Sequence, residues 1–367
     1  MSKILSIAWY KILPAKYGGQ KGIGLFTKYL AQFHQVLLLC SNNNQAEDLP
    51  FKIRPELPNS KSQFLNPFCW RKISKVAKEF QPSYIILEHP YHGIAGYFAC
   101  KKTGAKLVVH SHNIESQRFR SFGKWWWKLL TKYERWVHRK ADLNLFKTER
   151  DLEWAVEHFG LENKQCVVVP YGTEQHPFDK KKSKEIVFTR HSINERTKIL
   201  LFAGTLDYEP NAKAVEIIFK EIAPRLNGDD LKILICGRND LKKFQHLRQL
   251  THSNVIYCGE VEDIENYFAA ADVFLDPVET GGGIQSKVVE ALSYNLNVVC
   301  FKDQADKQFT TAGEKIFASD QGDYGGMVKH IHRSLAENPP TRSEFFEYYG
   351  WRNIIKRLNE KLTAGND

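Results

Sequence analysis

The strongest constraint on the fold is an alternation of short apolar runs with longer helical patterns, which occurs twice along the chain. In the first half, the predicted strands are residues 3–8, 35–40, 84–88, 106–110, 142–146 and 166–169. In the second half, they are residues 198–203, 231–236, 254–258, 272–275, 297–301 and 315–318, with helical patterns such as 212–225 and 284–294 between them. Several runs are apolar at every position, as is typical of parallel strands covered by helices on both faces. The alternation predicts two doubly wound α/β domains.

The boundary between the two domains is predicted near residue 175. A chain of 367 residues is longer than a single core usually supports, which also favours two domains. Residues 173–198 are polar and rich in lysine, and they are predicted to form a linker or a long surface loop. We therefore expect domains over residues 1–175 and 176–342, followed by one terminal helix over 343–362.

The basic charge is concentrated in the first half of the chain. The net charge is +10, and residues 1–175 hold 26 Lys and Arg against 14 Asp and Glu. A cationic domain beside a neutral one suggests an anionic partner, such as a nucleic acid, a membrane surface or a phosphorylated substrate, although a solvated basic face that only aids solubility is the alternative. Because no nucleic-acid-binding motif is present, we expect no nucleic-acid partner.

Other features of the composition indicate a cytoplasmic protein. No apolar run approaches the ~20 residues that cross a bilayer, and the first ten residues lack the pattern of a signal peptide. The seven cysteines are scattered, and none belongs to a C-x-x-C pair, which argues against a zinc site. Their odd number fits a reducing compartment.

Three consecutive glycines follow the predicted strand 272–275 and open the next predicted helix. Backbone N–H groups and the helix dipole form an anion site in such a place. Lys287 and Glu290 lie three residues apart near the start of this helix, so they share one face. Lys287 can reach a phosphate, and Glu290 can accept hydrogen bonds from two ribose hydroxyls. The alternative is a glycine turn with a surface ion pair.

Two further segments with unusual composition follow predicted strands in the first half. Gly18 and Gly19 stand in a glycine-rich segment where the backbone can approach a ligand closely, unless this is an ordinary flexible loop. Residues 110–115 include two histidines, with His112 followed by Asn113. Polar groups concentrated at the end of a strand are typical of a functional site, because ligands bind beyond the carboxyl ends of the strands in open α/β sheets.

Several of these motifs, taken in order, resemble glycosyltransferase family 4, which has the GT-B fold. GGGIQSKVVEALSYNLNVV is similar to the family's nucleotide-sugar loop, helix and following strand. YGGQKGIG resembles its first glycine-rich loop, HSHNIESQRFR its active-site loop, and VVPYGTE the segment that enters its interdomain linker. ILLFAGTLDYEPNAKAVEIIF matches the first strand and helix of the family's second domain, and the terminal segment with Trp351 is similar to its crossing helix.

The resemblance implies a fold and an activity. Two Rossmann-like domains would face each other across a cleft, and the helix over 343–362 would cross back onto the first domain. The enzyme would be a hexosyltransferase-like protein that moves a sugar from a nucleotide-sugar donor to an acceptor hydroxyl with retention of configuration. It would need neither a metal nor a cofactor, and it would act in polysaccharide, lipopolysaccharide or glycolipid synthesis. The donor would bind the second domain, and a glycan or lipid-linked acceptor the first.

The resemblance also assigns roles to residues of this chain. His112, Lys287 and Glu290 would be the catalytic residues, of which His112 contacts the donor sugar, Lys287 the diphosphate and Glu290 the ribose. The other predicted substrate-binding residues are Gly18, Gly19, Asn113, Arg238, Gly282, Gly283 and Ile284.

The chain departs from the family pattern at two places. Gly282 stands where the family has a glutamate that contacts the transferred sugar, and Thr205 and Glu209 stand where many members have an arginine and a lysine. The departure at Gly282 leaves open a non-catalytic nucleotide-sugar-binding protein, and a nucleotide-sugar epimerase on the same fold is a second alternative.

An aromatic and basic segment over residues 123–130 suggests contact with a membrane. It contains Trp125, Trp126 and Trp127 between Lys124 and Lys128. Indoles and lysines together favour the headgroup region of anionic bilayers, so we expect a peripheral enzyme at the inner face of the membrane. The alternative is that the tryptophans are core residues of a helix that runs to about residue 139.

Overall fold

The computed structural model describes residues 1–15, 18–45, 48–175, 177–226, 230–279, 286–305 and 307–363. These residues form two compact units, each with its own parallel sheet. The first unit holds residues 1–172 together with the end of the chain from residue 351, and the second holds the remaining described residues. None of the described helices is long and apolar enough to cross a membrane.

The sheet of the first unit has seven strands among the described residues, in the order β3-β2-β1-β4-β5-β6-β7. The strands are β1 (Lys3–Ala8), β2 (Gln35–Ser41), β3 (Lys52–Leu57), β4 (Tyr84–Glu88), β5 (Lys106–Ser111), β6 (Leu143–Phe146) and β7 (Cys166–Val168). The helices are α1 (Gly18–Leu30), α2 (Pro67–Phe80), α3 (Gly93–Thr103), α4 (Glu115–Ser121), α5 (Trp127–Lys140) and α6 (Glu149–Ala155). Every strand pair is parallel, and apolar residues on both faces of the sheet are buried beneath the helices.

The second unit repeats this architecture, with six strands among its described residues in the order β10-β9-β8-β11-β12-β13. The strands are β8 (Lys198–Ala203), β9 (Leu231–Cys236), β10 (Val255–Gly259), β11 (Val273–Asp276), β12 (Asn297–Phe301) and β13 (Ile316–Ser319). The helices are α7 (Lys180–His191), α8 (Glu209–Ile217), α9 (Ile264–Ala270), α10 (Ser286–Ser293), α11 (Tyr324–Ala336) and α12 (Ser343–Tyr349). Its strand pairs are also parallel, so the prediction of two doubly wound α/β sheets is confirmed.

One strand of the first sheet, β3, is missing from the strands predicted from the sequence. β3 carries Arg54, Pro55 and Glu56 and lies at the edge of the first sheet. Proline is tolerated at an edge because its missing N–H removes no hydrogen bond from the sheet interior. The charged residues and the proline of β3 are therefore compatible with a strand at the edge of the sheet.

The prediction of a linker or surface loop over residues 173–198 is wrong in part, because α7 occupies the middle of this segment. The side chain of Asp179 caps the helix by accepting from the Lys182 N–H. Phe188 is buried, and Lys180 and Lys184 both form ion pairs with Asp272, the residue before β11. Tertiary contacts thus add to the stability of this lysine-rich helix.

The single terminal helix predicted over residues 343–362 is two helices. α12 belongs to the second unit, and α13 (Trp351–Thr363) belongs to the first. The apolar face of α13, which includes Trp351, Ile355 and Leu358, is buried in the core beneath α1. The predicted return of the chain to the first unit is therefore made by α13.

Gly172 allows the close packing of α13, and we expect Gly172→Ala to destabilise the protein. A Cβ at this position would lie 2.5 Å from the Trp351 ring and 2.9 Å from Ile354 Cδ1. Overpacking of this kind costs about 1–3 kcal/mol, so urea unfolding should show a lower free energy of unfolding. Gly24→Ala is the control, because a Cβ there lies 3.7 Å from its nearest neighbour. Equal stability of Gly172→Ala and the parent protein would contradict this packing.

Candidate active site

The register of the first sheet brings polar residues together where its strand order reverses. Glu88, the last residue of β4, pairs with Ala8 of β1 on one side and His110 of β5 on the other. Ligands of open α/β sheets bind at such a switch point, beyond the carboxyl ends of the strands. We call the side chains gathered here, Glu88, His89, His110, His112 and Glu115, the imidazole cluster.

Glu88 is the buried carboxylate at the centre of the imidazole cluster. Its Oε2 accepts a hydrogen bond of 2.8 Å from His112 Nε2 and lies 2.9 Å from His110 Nδ1. Ser6 Oγ donates to the other oxygen over 3.3 Å. Burial opposes ionisation of Glu88, but the two imidazoles outweigh it and hold the pKa of this carboxyl well below its usual range.

Glu115, the first residue of α4, is a second buried carboxylate with its own partners. Its Oε2 accepts from Tyr91 Oη over 2.6 Å and from Arg118 Nε over 2.9 Å, and its Oε1 lies 3.3 Å from His89 Nδ1. Burial raises the pKa of Glu115, but His89 and Arg118 lower it more, and the result is a pKa of about 2. The ring of His89 also lies over that of His112, with 4.4 Å between centroids, and so joins the two carboxylates.

His89 adopts a backbone conformation that non-glycine residues avoid. Its φ is 74° and its ψ 155°, and such conformations cost about 1–3 kcal/mol. The cost is offset by contacts of the imidazole with Glu115 and His112. Backbone strain that serves to orient a polar ring is characteristic of functional sites.

Glu88, His110 and His112 are also a group that could hold a metal ion, since one ligand atom from each lies within 4.8 Å of the others. Zinc ligands at 2.0–2.1 Å from a tetrahedral ion are about 3.3 Å apart. The separations of 2.8 and 2.9 Å between Glu88 Oε2 and the nitrogens of His112 and His110 are shorter than that. Glu88 therefore lies closer to both histidines than ligands of one zinc ion do, with a hydrogen bond to His112, and metal independence stays a prediction.

The second sheet also places a carboxylate at its switch point. Asp276 ends β11, whose neighbour is β8, and it is fully buried. Lys287 of α10 lies with its Nζ 2.6 Å from Asp276 Oδ1 and donates to Asn211 Oδ1 over 3.3 Å. The same ammonium group lies 4.8 Å from the centroid of the Phe202 ring. These contacts hold the lysine at the carboxyl edge of the sheet.

Arg238 lies at the same edge, just after β9. Its Nε is 3.3 Å from Asp207 Oδ2, and Asp207 in turn accepts from two backbone N–H groups that follow Arg238. Gly237 makes this approach possible, because a Cβ there would lie 1.8 Å from the carbonyl oxygen of Gly204. The second unit thus places Lys287 and Arg238 at the carboxyl ends of its central strands, with Glu290 three residues further along α10.

The remaining predicted site residues lie as follows. Gly18 and Gly19 open α1 instead of forming a loop, and a Cβ on Gly19 would lie 3.6 Å from the hydroxyl of Tyr10, which follows β1. Asn113 accepts a hydrogen bond from Ser111 Oγ through its backbone carbonyl. Gly282, Gly283 and Ile284 lie outside the described residues.

The sequence analysis missed Glu88, His89 and Asp276. Glu88 and Asp276 each end an apolar strand, so the rule that found the segment after β5 would also have found them. No sequence pattern predicts the positive φ of His89.

Two family models match the chain. The model described as Glycosyltransferase Family 4 matches residues 18–175, and the one described as Glycosyl transferases group 1 matches residues 197–337. Together they span most of the chain, in the order that the motifs predicted. The chain is a GT-B glycosyltransferase.

Several solved structures of the same fold align with this glycosyltransferase over almost its whole length. Sucrose-phosphate synthase from Thermosynechococcus elongatus is similar with a TM-score of 0.78 at 15% identity, over 100% of both chains. Anabaena HepE in complex with UDP and glucose gives 0.72 at 15% identity, over 99% of this chain and 100% of that one. WaaG, a glycosyltransferase involved in lipopolysaccharide biosynthesis, gives 0.67 at 15% identity, over 97% and 95%. No curated protein sequence matches the chain.

Buried neutral histidines of the first unit should make this glycosyltransferase sensitive to acid. Burial lowers the pKa values of His92, His110 and His138 to about 4. An unfolded histidine takes up its proton near pH 6.5, so the folded state loses stability as the pH falls from about 6.5 to 4, by about 1–2 kcal/mol per histidine between pH 7 and 5. Glu134, whose pKa burial raises to about 7, acts in the opposite direction and offsets part of this loss.

Urea unfolding at pH 7 and pH 5 measures this effect. The parent protein should be less stable at pH 5, and His138→Gln should show a smaller difference between the two pH values, because it removes one of the titrating groups. His138 serves best because its Nδ1 contacts only Asn144 Oδ1, outside the imidazole cluster. A free energy of unfolding that is equal or higher at pH 5 would contradict the account.

Proposed function

We propose that this glycosyltransferase transfers a sugar from a nucleotide-sugar donor to an acceptor hydroxyl, with retention of configuration and without a metal. The donor binds the second unit and the acceptor the first. Complexes of the similar Anabaena HepE with UDP and with UDP-glucose support a nucleotide-sugar donor. The similarity to WaaG and to the outer core galactosyltransferase WaaB supports an acceptor used in lipopolysaccharide or another glycan of the cell envelope.

The placement of Lys287 carries this proposal. Cleavage of the bond between the sugar and the diphosphate leaves negative charge on the diphosphate, and without a metal that charge must be stabilised by cations and backbone N–H groups. Lys287 lies on α10 beside the end of β11, and Asp276 and Asn211 hold its ammonium group there. Arg238 supplies a second cation at the same edge, and Glu290 receives the ribose hydroxyls. We assign backbone contacts with the diphosphate and sugar to Gly282, Gly283 and Ile284.

On the first unit, the proposal gives His112 the contact with the donor sugar. His112 follows β5, the strand next to β4 at the switch point, and it is nearly buried. Gly18 and Gly19 lie at the amino end of α1, where backbone N–H groups favour an anion, and we assign them to the diphosphate. Asn113 is assigned to the substrate because it is adjacent to His112.

Lys287→Ala should lower kcat by about 100- to 1,000-fold, because one lost contact to a developing anion costs ~2.7–4 kcal/mol. Glu290→Ala should raise the KM for the donor as well as lower kcat. Steady-state kinetics with the donor found by screening measure both effects. The matched control is Lys232→Ala, since Lys232 is a partly exposed lysine near the amino end of β9, away from the carboxyl ends of the strands. Near-normal rates for Lys287→Ala would reject the assignment.

The donor itself is found by thermal shift with nucleoside diphosphates and nucleotide sugars, since a ligand that binds only the folded protein raises its Tm. NMR of the product then gives its anomeric configuration, and retention is expected. Product formed in the absence of any acceptor would instead indicate an epimerase. Binding of a donor with no turnover under any condition would indicate the non-catalytic alternative.

We also propose that the start of α5 contacts an anionic membrane that carries the acceptor. Trp125 is 87% exposed and Leu129 is 69% exposed, which disfavours the alternative that this whole segment lies in the core. Lys124, Lys128 and Lys132 are exposed around them. Exposed indole and aliphatic groups with lysines suit the interface of an anionic bilayer.

Flotation with vesicles that contain anionic phosphatidylserine should carry the protein upward at low salt, and flotation should weaken as salt screens the lysines. Trp125→Ser combined with Leu129→Ser should abolish it. The control is Leu241→Ser, an apolar side chain of the second unit that is 53% exposed. The proposed membrane contact is wrong if the parent protein does not float with the vesicles, or if the double variant floats equally well.

A further inference from the structure

The hydrogen bond between His112 and Glu88 determines which nitrogen of His112 carries the proton. An ionised carboxylate only accepts hydrogen bonds, so the 2.8 Å contact requires that Nε2 bears the hydrogen. The pKa of His112 is held well below its usual range, first by burial and then by the neighbouring imidazoles, so the ring is neutral at pH 7. A neutral ring protonated at Nε2 has an unprotonated Nδ1, which is a hydrogen-bond acceptor.

The charge on Glu88 has a counterpart in Lys147, which follows β6. Burial lowers the pKa of this lysine to about 8, while the nearby Glu88 works to raise it, so Lys147 is mostly protonated at pH 7. Its Nζ is buried without a hydrogen-bond partner among the described residues. The Lys147 ammonium group is therefore a buried positive charge that the nearby Glu88 carboxylate favours.

The orientation of the His112 ring is fixed as well. His89 and His110 both pack against it, each with 4.4 Å between ring centroids and with interplanar angles of 31° and 37°. Within the described parts of the chain, Nδ1 of His112 has no hydrogen-bond partner, and unlike both nitrogens of His110 it is not among the deeply buried unpartnered atoms. The ring thus has one nitrogen anchored to Glu88 and the other available.

We propose that Glu88 is a positioning residue that fixes His112 as the neutral tautomer protonated at Nε2, so that Nδ1 accepts a hydrogen bond from a sugar hydroxyl of the substrate. This inference rests on the proposed function, which gives His112 its contact with the sugar. It identifies the hydrogen-bond direction at that contact, because His112 accepts and the hydroxyl donates. It also gives the buried carboxylate a role without contact with the substrate, since removal of its oxygens would remove the hydrogen bond that sets the tautomer.

The tautomer is tested directly by ¹⁵N NMR of the parent protein labelled at its histidine rings, with His112→Asn used to assign the His112 signals. The expected spectrum at pH 7 has a protonated Nε2 and an unprotonated Nδ1, together with a downfield proton from the bond to Glu88. A protonated Nδ1, or a doubly protonated ring, would overturn the proposal. This measurement needs no catalysis, so it decides the inference even if no sugar transfer is found.

The consequence for turnover is tested with Glu88→Gln and Glu88→Ala. Loss of a hydrogen bond to a charged group should lower kcat/KM by about 10- to 100-fold, with Glu88→Gln less impaired because its amide oxygen still accepts from Nε2. The downfield proton should be lost in Glu88→Ala. The matched control is Ser6→Ala, which removes the other hydrogen bond to Glu88 and should keep both the proton signal and the rate.

The two possible failures can be told apart. If no nucleotide sugar is turned over by the parent protein, the proposed function fails while the NMR spectrum still decides the tautomer. If turnover is observed and Glu88→Ala matches Ser6→Ala in both kcat/KM and spectrum, the proposed function stands and the role of Glu88 is refuted.

Discussion

The structure depends on one constraint, that parallel strands in fixed register bring their carboxyl ends to the same edge of a sheet. In the first unit this places Glu88 of β4 beside His110 of β5, and in the second it places Asp276 at the end of β11. Both carboxylates end the strand at which the order of the sheet reverses. Loops diverge at these positions, so polar side chains there can meet a ligand.

Burial of these carboxylates determines their surroundings. A charge removed from water is tolerated only with close partners, and each carboxylate has a different set. Glu88 accepts from His112 and Ser6, with Lys147 nearby, whereas Asp276 is paired with Lys287. The first arrangement fixes an imidazole, and the second fixes an ammonium group. In each unit a group with no direct role in the reaction thereby holds one that is assigned to the substrate.

Much of this was predictable from the sequence. The apolar strands and the helices between them follow from periodicity, and His112 and Lys287 were found because they follow strands. β3 was not predicted because its charges and Pro55 are unusual for a strand, and its position at the edge of the sheet is a tertiary property. α7 was not predicted because its segment is rich in lysine, and the ion pairs of its lysines with Asp272 are also tertiary. The break at Gly350 that separates α12 from α13 depends on which unit each helix packs in. The positive φ of His89 likewise follows from contacts distant in sequence.

The central claim is that the diphosphate of a nucleotide sugar is held at the carboxyl edge of the second sheet by Lys287. A crystal of the protein soaked with UDP tests it most directly. The account predicts electron density for the diphosphate within hydrogen-bond distance of Lys287 Nζ. Density for the nucleotide at another surface, with Lys287 still paired only to Asp276, would contradict it.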